Sequence, residues 1–103
     1  MTLPLPGHTP GHTGLMLSDG GQQLLIWGDL VHMPGFQFDQ PDWSISFDAD
    51  LDRARQTRRM IFERAAAEGF AVAGMHLDFP GVGYVDRDGG GYRYTQAPWQ
   101  FAL

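Results

Sequence analysis

Apolar segments of strand length flank a turn sequence near the start of the chain. Residues 14–17 and 22–27 form this pair, and the Ser-Asp-Gly-Gly sequence between them is typical of a hairpin, because glycine tolerates a positive φ. The apolar run of residues 24–27 predicts that the returning strand is buried on both faces. Residues 3–13, rich in proline, glycine, threonine and histidine, predict an ordered loop before this hairpin.

Apolar residues at helical spacing predict one long helix, over residues 51–68. Asp48 or Asp50 can cap its first turn, and Gly69 ends it. A short apolar strand is predicted to follow over residues 70–75. The residues that keep the helical spacing are Leu51, Ala54, Ile61 and Ala65.

A second hairpin is predicted over residues 83–87 and 92–95, around an Asp-Gly-Gly-Gly sequence. The order of elements is therefore strand, strand, loop, helix, strand, strand, strand. This order predicts an α/β fold in which a mixed sheet carries one main helix, and one helix covers at most one face of a sheet. A chain of 103 residues, 43% of them hydrophobic, is expected to form a single domain, residues 1–103, with a modest core.

Residues 28–47 show neither a strand period nor a helix period. Long irregular loops in compact domains usually have a function or are disordered, and this loop is too aromatic for disorder. We interpret it as the wall of a pocket, with a loop that packs its own small core as the alternative. Its aromatic and imidazole side chains are His32, Phe36, Phe38, Trp43 and Phe47.

The composition of the chain indicates which kinds of binding partner are not expected. The net charge is -5 and basic residues form no continuous run, so no nucleic-acid binding is expected. The arginines of the predicted helix are interpreted as a solvated face. The absence of cysteine excludes disulfides and thiolate ligands and fits a cytoplasmic location, and no segment is long and apolar enough to predict membrane insertion. These arginines are Arg53, Arg55, Arg58, Arg59 and Arg64.

Four polar residues stand where a metal site could form. Asp29 and His76 each come directly after a predicted apolar strand, and an acidic group there is costly unless it is paired or bound to metal. His8 and His12 lie in the first loop, where proline and glycine restrict the backbone. Imidazole with carboxylate suits zinc, iron or manganese. The alternative is that these side chains cap backbone groups at strand ends.

The sequence Pro-Gly-His-Thr-Pro-Gly-His-Thr-Gly, residues 6–14, closely resembles the third metal-ligand motif of the metallo-β-lactamase superfamily. The Trp-Gly-Asp sequence that ends at Asp29 resembles the segment of its bridging aspartate, and Gly-Met-His-Leu around His76 resembles its final histidine motif. Within the superfamily, residues 27–32 and 37–39 look most like the organophosphate hydrolase and lactonase members.

The resemblance implies a role for each matching residue. His8 would be a ligand of one metal, Asp29 would bridge two metals, and His76 would be a ligand of the second, with Asp29 and His76 also catalytic. His12 matches the motif but usually hydrogen-bonds within the loop in this family, so it is a further ligand only if it is recruited. The side chains expected to face the substrate are those of His32, Phe36, Phe38 and Trp43.

The sequence lacks the His-x-His-x-Asp-His motif that an N-terminal half supplies in this family. The resemblance therefore covers the C-terminal half of a four-layer αββα sandwich. Without the other half, the inner sheet face is exposed and apolar, so a homodimer or a larger even assembly is expected to cover it. His8, Asp29 and His76 would then meet on one ion or share a cluster with ligands of a second chain.

The function that the resemblance implies is a metal-dependent hydrolase of a small-molecule ester, lactone or phosphoester, through a metal-bound hydroxide. Zinc is the expected metal, with manganese or iron as alternatives. Two other interpretations stay open. One is a catalytically silent fragment or scaffold that needs a missing N-terminal half, and the other is a metal-binding protein without turnover.

Overall fold

Six strands form one mixed sheet in the computed structural model, which describes residues 1–98. They are β1 (Thr2–Pro4), β2 (Thr13–Asp19), β3 (Gln22–Ile26), β4 (Ala71–Ala73), β5 (Val82–Asp88) and β6 (Gly91–Gln96). Their order in the sheet follows the chain, and neighbours are antiparallel except β3 and β4, which are parallel. The last five residues of the predicted single domain lie outside the described residues.

The main helix, α2, runs over Leu51–Glu68 as predicted and lies between the parallel strands β3 and β4 along the chain. A parallel pair requires such a crossover. The Asp50 carboxylate accepts a hydrogen bond from the Arg53 backbone N–H at 3.0 Å, which makes Asp50 the cap of the first turn. Gly69 ends the helix in the left-handed conformation, at φ 74°. Among the described residues, no helix has both the length and the apolar character needed to cross a bilayer.

Both predicted hairpins are confirmed, but two short elements were not predicted. Strand β1 pairs with β2 from Thr2↔Leu15 to Pro4↔Thr13, so the predicted loop begins after Pro4. A one-turn helix, α1 (Pro34–Gln37), lies inside the segment predicted to be irregular. Neither element is long enough to show a period in the sequence, because three or four residues cover only about one helical turn or strand repeat.

Only one face of the sheet is covered by the helix. Leu25 and Trp27 are fully buried with Ile61 and Phe62 of α2 in one core, and the Trp27 and Phe62 rings lie 5.7 Å apart. The prediction that residues 24–27 are buried on both faces is wrong, since Leu24 is only partly buried. The helix covers one face of the sheet with apolar side chains, and no element among the described residues covers the other face.

The uncovered face is nevertheless apolar. The strand register places Leu15 opposite Ile26 and Leu17 opposite Leu24, so these four side chains share that face. Leu17 remains 45% exposed, and Tyr84 on β5 is exposed as well. A contiguous apolar surface of this kind is typical of an interaction face.

Candidate metal centre

The loop that carries His8 is hydrogen-bonded to the start of helix α2. The backbone carbonyls of Gly7 and His8 accept from the N–H groups of Asp50 and Ala49, each at 2.9 Å. The Pro6 carbonyl accepts from the Thr57 hydroxyl at 2.7 Å. These bonds hold the loop against the helix, and they bring His8 beside the residues that precede the helix.

His8 lies between two carboxylates. Its Nδ1 is 3.1 Å from Oδ1 of Asp48, and its Nε2 is 3.7 Å from Oδ2 of Asp29. Asp48 is buried and lies 3.7 Å from the guanidinium of Arg58. A histidine whose Nδ1–H is held by a carboxylate presents Nε2 as a lone pair, which is the usual arrangement of a metal-ligating histidine.

The sequence pattern indicates Asp48 only as a possible helix cap, but the cap is Asp50. The sequence does carry one indication that Asp48 has a different role, because two aspartates precede the helix and a cap needs only one. The interpretation of Arg58 as part of a solvated face is wrong. Its side chain is buried and donates to the carbonyls of Leu30, Pro41 and Trp43 at 2.7–3.0 Å, and burial lowers its pKa while Asp48 opposes that shift.

His12 supports Asp29 rather than facing a ligand. Its Nε2 accepts a hydrogen bond from the Asp29 backbone N–H at 3.0 Å, and its Nδ1 lies 2.9 Å from the Leu5 carbonyl. Nε2 therefore acts as the acceptor and Nδ1 as the donor, and both ring nitrogens are engaged. A Cβ on Gly28 would lie 2.8 Å from this ring, so the glycine allows the close approach.

Asp29 faces a different histidine with each carboxylate oxygen. Oδ2 faces His8, and Oδ1 lies 3.2 Å from Nε2 of His76. His76 has a φ of 65°, which lies in the left-handed region. Residues other than glycine rarely adopt this conformation, and those that do are often found at functional sites. The neighbouring Met75 N–H donates to the Gly28 carbonyl at 3.0 Å, which ties the ends of β3 and β4 together.

His32 lies between His8 and His76. Its ring centroid is 4.8 Å from that of His8 and 4.9 Å from that of His76. Its side chain is 9% exposed, and its Nε2 is 3.9 Å from Oδ1 of Asp29. Burial lowers the pKa of His32, and His8 and His76 add to that shift against the opposing effect of Asp48 and Asp29. The neutral imidazole is thereby favoured.

The loop of residues 28–47 is held by buried polar side chains. The Gln37 carbonyl oxygen accepts from the backbone N–H groups of His32 and Met33 at 2.7 and 2.9 Å, and its amide donates to the Trp43 carbonyl at 2.9 Å. Gln37 and Arg58 together satisfy carbonyls along the loop. The backbone at His32 is therefore fixed, although the segment has no long helix or strand.

The aromatic residues predicted to form a pocket wall divide into two groups. Phe36 and Trp43 are half-exposed and stack on each other, with centroids 5.1 Å apart and an interplanar angle of 12°. Phe38 is only 4% exposed and stacks on Phe62 and Tyr94 in the core. The structure thus corrects the expected place of Phe38, because its ring is enclosed by the helix and β6.

Two groups of side chains have the donor set and spacing of a divalent-metal site. They are His8 with His32 and Asp48, and Asp29 with His32 and His76, and within each group the ligand atoms lie within 4.8 Å of one another. Ligand bonds of about 2.0–2.2 Å at tetrahedral angles place ligand atoms about 3.4 Å apart. The 3.2 Å, 3.7 Å and 3.9 Å separations around Asp29 are close to this value, so its residues fit a bound ion.

Two solved structures of hydrolases match this chain over nearly its whole length. One is AidC, a dizinc quorum-quenching lactonase in complex with a product, at a TM-score of 0.92 and 31% identity. The other is the hydrolase AbOPH of the beta-lactamase superfamily, at a TM-score of 0.92 and 34% identity. Each match covers 96% of this chain and 34% of the other. No protein-family profile and no curated protein sequence matches the chain.

The chain is therefore related to the metallo-β-lactamase superfamily, as the resemblance implied, and has the fold of one part of these proteins. It spans about a third of the length of each matched hydrolase. The α/β architecture with one mixed sheet and one main helix, expected from the sequence, is confirmed.

Proposed function

We propose that this chain contributes the metal-binding edge of a hydrolase that acts on ester, lactone or phosphoester bonds of a small molecule. The observation that carries the proposal is the arrangement of Asp29, whose two carboxylate oxygens face the Nε2 atoms of His8 and His76. The similarity to a dizinc lactonase and to a second hydrolase supports the class of reaction.

Each residue has a defined task in this proposal. His8, oriented by Asp48, and His76, at the end of β4, offer one imidazole nitrogen each, and Asp29 offers one oxygen to each side. A bound divalent ion supplies Lewis acidity and lowers the pKa of water. Zinc suits this imidazole and carboxylate set, and manganese or iron are the alternatives. Asp29 and His76 are the proposed catalytic residues.

The stacked rings of Phe36 and Trp43 are the proposed apolar contact for the substrate. They are half-exposed, and they lie on the loop that also carries His32. Aromatic walls beside a few polar groups are typical of small-molecule sites. The expectation that His32 faces the substrate remains a prediction, and so do the exclusion of nucleic acid and the cytoplasmic location.

We also propose that the uncovered sheet face is the contact between two copies of the chain. The support is the row of apolar side chains on that face, Leu15, Leu17, Leu24 and Ile26, with Tyr84 beside them. A face of this kind pairs with itself in a two-fold dimer, which is the commonest oligomer. Such a dimer would bury the apolar surface that one helix cannot cover.

A second candidate is a catalytically silent part of a longer protein, which binds metal but requires a further segment for turnover. The observation in its favour is that the chain spans about a third of each matched hydrolase. The residues of the site would then hold the ion without completing the active site. Metal binding without turnover, measured on the isolated chain, separates this candidate from the first.

The test begins with metal content. Elemental analysis of the main size-exclusion peak should show at least about one transition metal ion per chain after loading with Zn²⁺ or Mn²⁺, because imidazole and carboxylate ligands bind such ions at neutral pH. Asp29→Asn should lose the metal, whereas Asp19→Asn, at the end of β2, should keep it. Activated esters, lactones and phosphoesters are then screened, and His76→Ala should abolish any turnover. Wild-type protein that takes up no metal would refute the proposal.

A further inference from the structure

His32 has no ligand role in the pattern that the resemblance implies, and it is expected only to face the substrate. We propose that His32 is a metal ligand, which acts together with Oδ1 of Asp29 and Nε2 of His76. One chain then holds one divalent ion with three of its own side chains, and the remaining coordination positions stay open. The inference rests on the proposed metal site, but it does not require turnover.

The distances support a single ion on the Oδ1 side of Asp29. From that oxygen, Nε2 of His76 lies at 3.2 Å and Nε2 of His32 at 3.9 Å. Tetrahedral coordination with bonds near 2.1 Å separates ligand atoms by about 3.4 Å, between the two observed values. The ligand atoms of the three residues lie within 4.8 Å of one another, so small side-chain rotations bring them onto one ion.

The burial of His32 points the same way. Its side chain is nine-tenths buried, yet its Nδ1 has no hydrogen-bond partner among the described residues. His12, by contrast, uses both ring nitrogens in hydrogen bonds and is explained as a structural residue. Burying a polar ring that makes no side-chain hydrogen bond costs free energy. A metal bond at Nε2, the ring nitrogen that faces Asp29, would offset part of that cost, while Nδ1 stays without a partner.

The competing group of His8, His32 and Asp48 is the less favourable place for a cation. Oδ1 of Asp48 is already paired with Nδ1 of His8, and its Oδ2 lies 3.7 Å from the Arg58 guanidinium. An arginine remains charged in proteins, so a second cation beside Asp48 would be repelled in a buried setting. Asp29, whose side chain is about one third exposed, has no such neighbour among the described ion pairs.

The direct test follows the histidine ring nitrogens by NMR. In ¹⁵N-labelled His8→Ala protein, which lacks the imidazole facing Oδ2 of Asp29, one equivalent of Zn²⁺ should shift the Nε2 signals of His32 and His76 together. A shift of His76 alone would overturn the inference and leave the proposed function standing. A shift at Nδ1 of His32 would also overturn it, because the inference places the metal bond on Nε2.

Affinity gives an independent measure. Competition with a chelator should show that His32→Leu binds Co²⁺ at least about 100-fold more weakly than wild type. Loss of a residue that acts only through another ligand is expected to weaken binding by about 10–100-fold, so the predicted loss lies at the upper limit of that range. The visible spectrum of any bound Co²⁺ should change as well. A smaller loss with an unchanged spectrum would overturn the inference.

Folding must be separated from ligation in this experiment. His32→Gln keeps a polar side chain of similar length and should show the same loss, so it replaces the leucine variant if that variant does not fold. Thermal unfolding without metal shows whether each of the two variants is folded. Wild-type protein that binds neither Zn²⁺ nor Co²⁺ would overturn this inference and the proposed function together, whereas binding that depends on His76 but not on His32 overturns this inference alone.

Discussion

Nδ1 of His8 lies 3.1 Å from Oδ1 of the buried Asp48, although the two residues are 40 positions apart in the chain. This pair turns Nε2 of His8 towards Asp29. A carboxylate behind a ligating histidine fixes the ring and raises its basicity. Asp48 is therefore a positioning residue for the proposed metal centre.

Asp48→Asn should lower the affinity for Zn²⁺ by about 10-fold or more, because a neutral amide holds and polarises the His8 ring less strongly. The matched control is Asp50→Ala, which removes the helix cap and should cost about 1 kcal/mol of folding stability without a change in affinity. Chelator competition measures the affinity, and thermal unfolding measures the stability. Equal losses of affinity in the two variants would argue against a specific role of Asp48.

Gly7→Ala should move the loop that carries His8. Gly7 has a φ of 140°, and a Cβ there would lie 2.3 Å from the backbone of Ala54 in helix α2. The expected cost is about 1–3 kcal/mol of stability from backbone strain, with weaker metal binding because His8 is displaced. Gly11→Ala in the same loop meets nothing within 4 Å and should change both quantities little. Urea unfolding measures the stability of each variant and metal titration measures its affinity. Equal stability and equal affinity in the two alanine variants would contradict this prediction.

Two phenylalanines on one loop should behave in opposite ways. Phe38→Ala should destabilise the fold by about 3–5 kcal/mol, since Phe38 is packed in the core. Phe36→Ala removes a half-exposed ring that stacks on Trp43, and should cost about 1 kcal/mol or less. If Phe36 contacts the substrate, its variant should raise KM with kcat nearly unchanged. Denaturant unfolding with steady-state kinetics tests both, and a strongly unfolded Phe36→Ala would contradict the assignment.

Leu17→Lys should convert the proposed dimer to a monomer, because it places a charge on the uncovered apolar sheet face. Met60→Lys is the control, since Met60 is also exposed but lies on helix α2. Size-exclusion chromatography with light scattering gives the mass of each variant. A wild-type protein that is monomeric at micromolar concentration would show that this face does not join two copies.

The elements that could be predicted are those whose pattern is local. Helix α2 keeps its apolar residues at spacings of three, four or seven positions, between an aspartate cap and Gly69, and both hairpins have glycine turns. The Pro-Gly-His loop, Asp29 and His76 could be singled out for a similar reason, because short sequence motifs surround them. Strand β1 and helix α1 escaped prediction because they are too short to repeat.

The functions of other residues depend on contacts between distant parts of the chain. Arg58 has the same side chain as its exposed neighbour Arg59, yet it is buried because the loop of residues 28–47 folds over it and offers three carbonyls. The helical spacing of the buried residues places position 58, and not position 59, on the face towards the core. That a charged side chain is stable there follows only from the carbonyls that pack against it. The difference between Phe36 and Phe38 likewise lies in what packs against each.

The geometry of the site has the same origin. Asp29 and His76 are 47 positions apart and meet because β3 and β4 are parallel neighbours that end at the same edge of the sheet. The residue types, and hence the chemistry available, follow from the sequence alone. Which oxygen of Asp29 faces which imidazole, and the position of His32 between His8 and His76, follow from packing, because the helix, the loop and the strand ends must occupy the space around the core together.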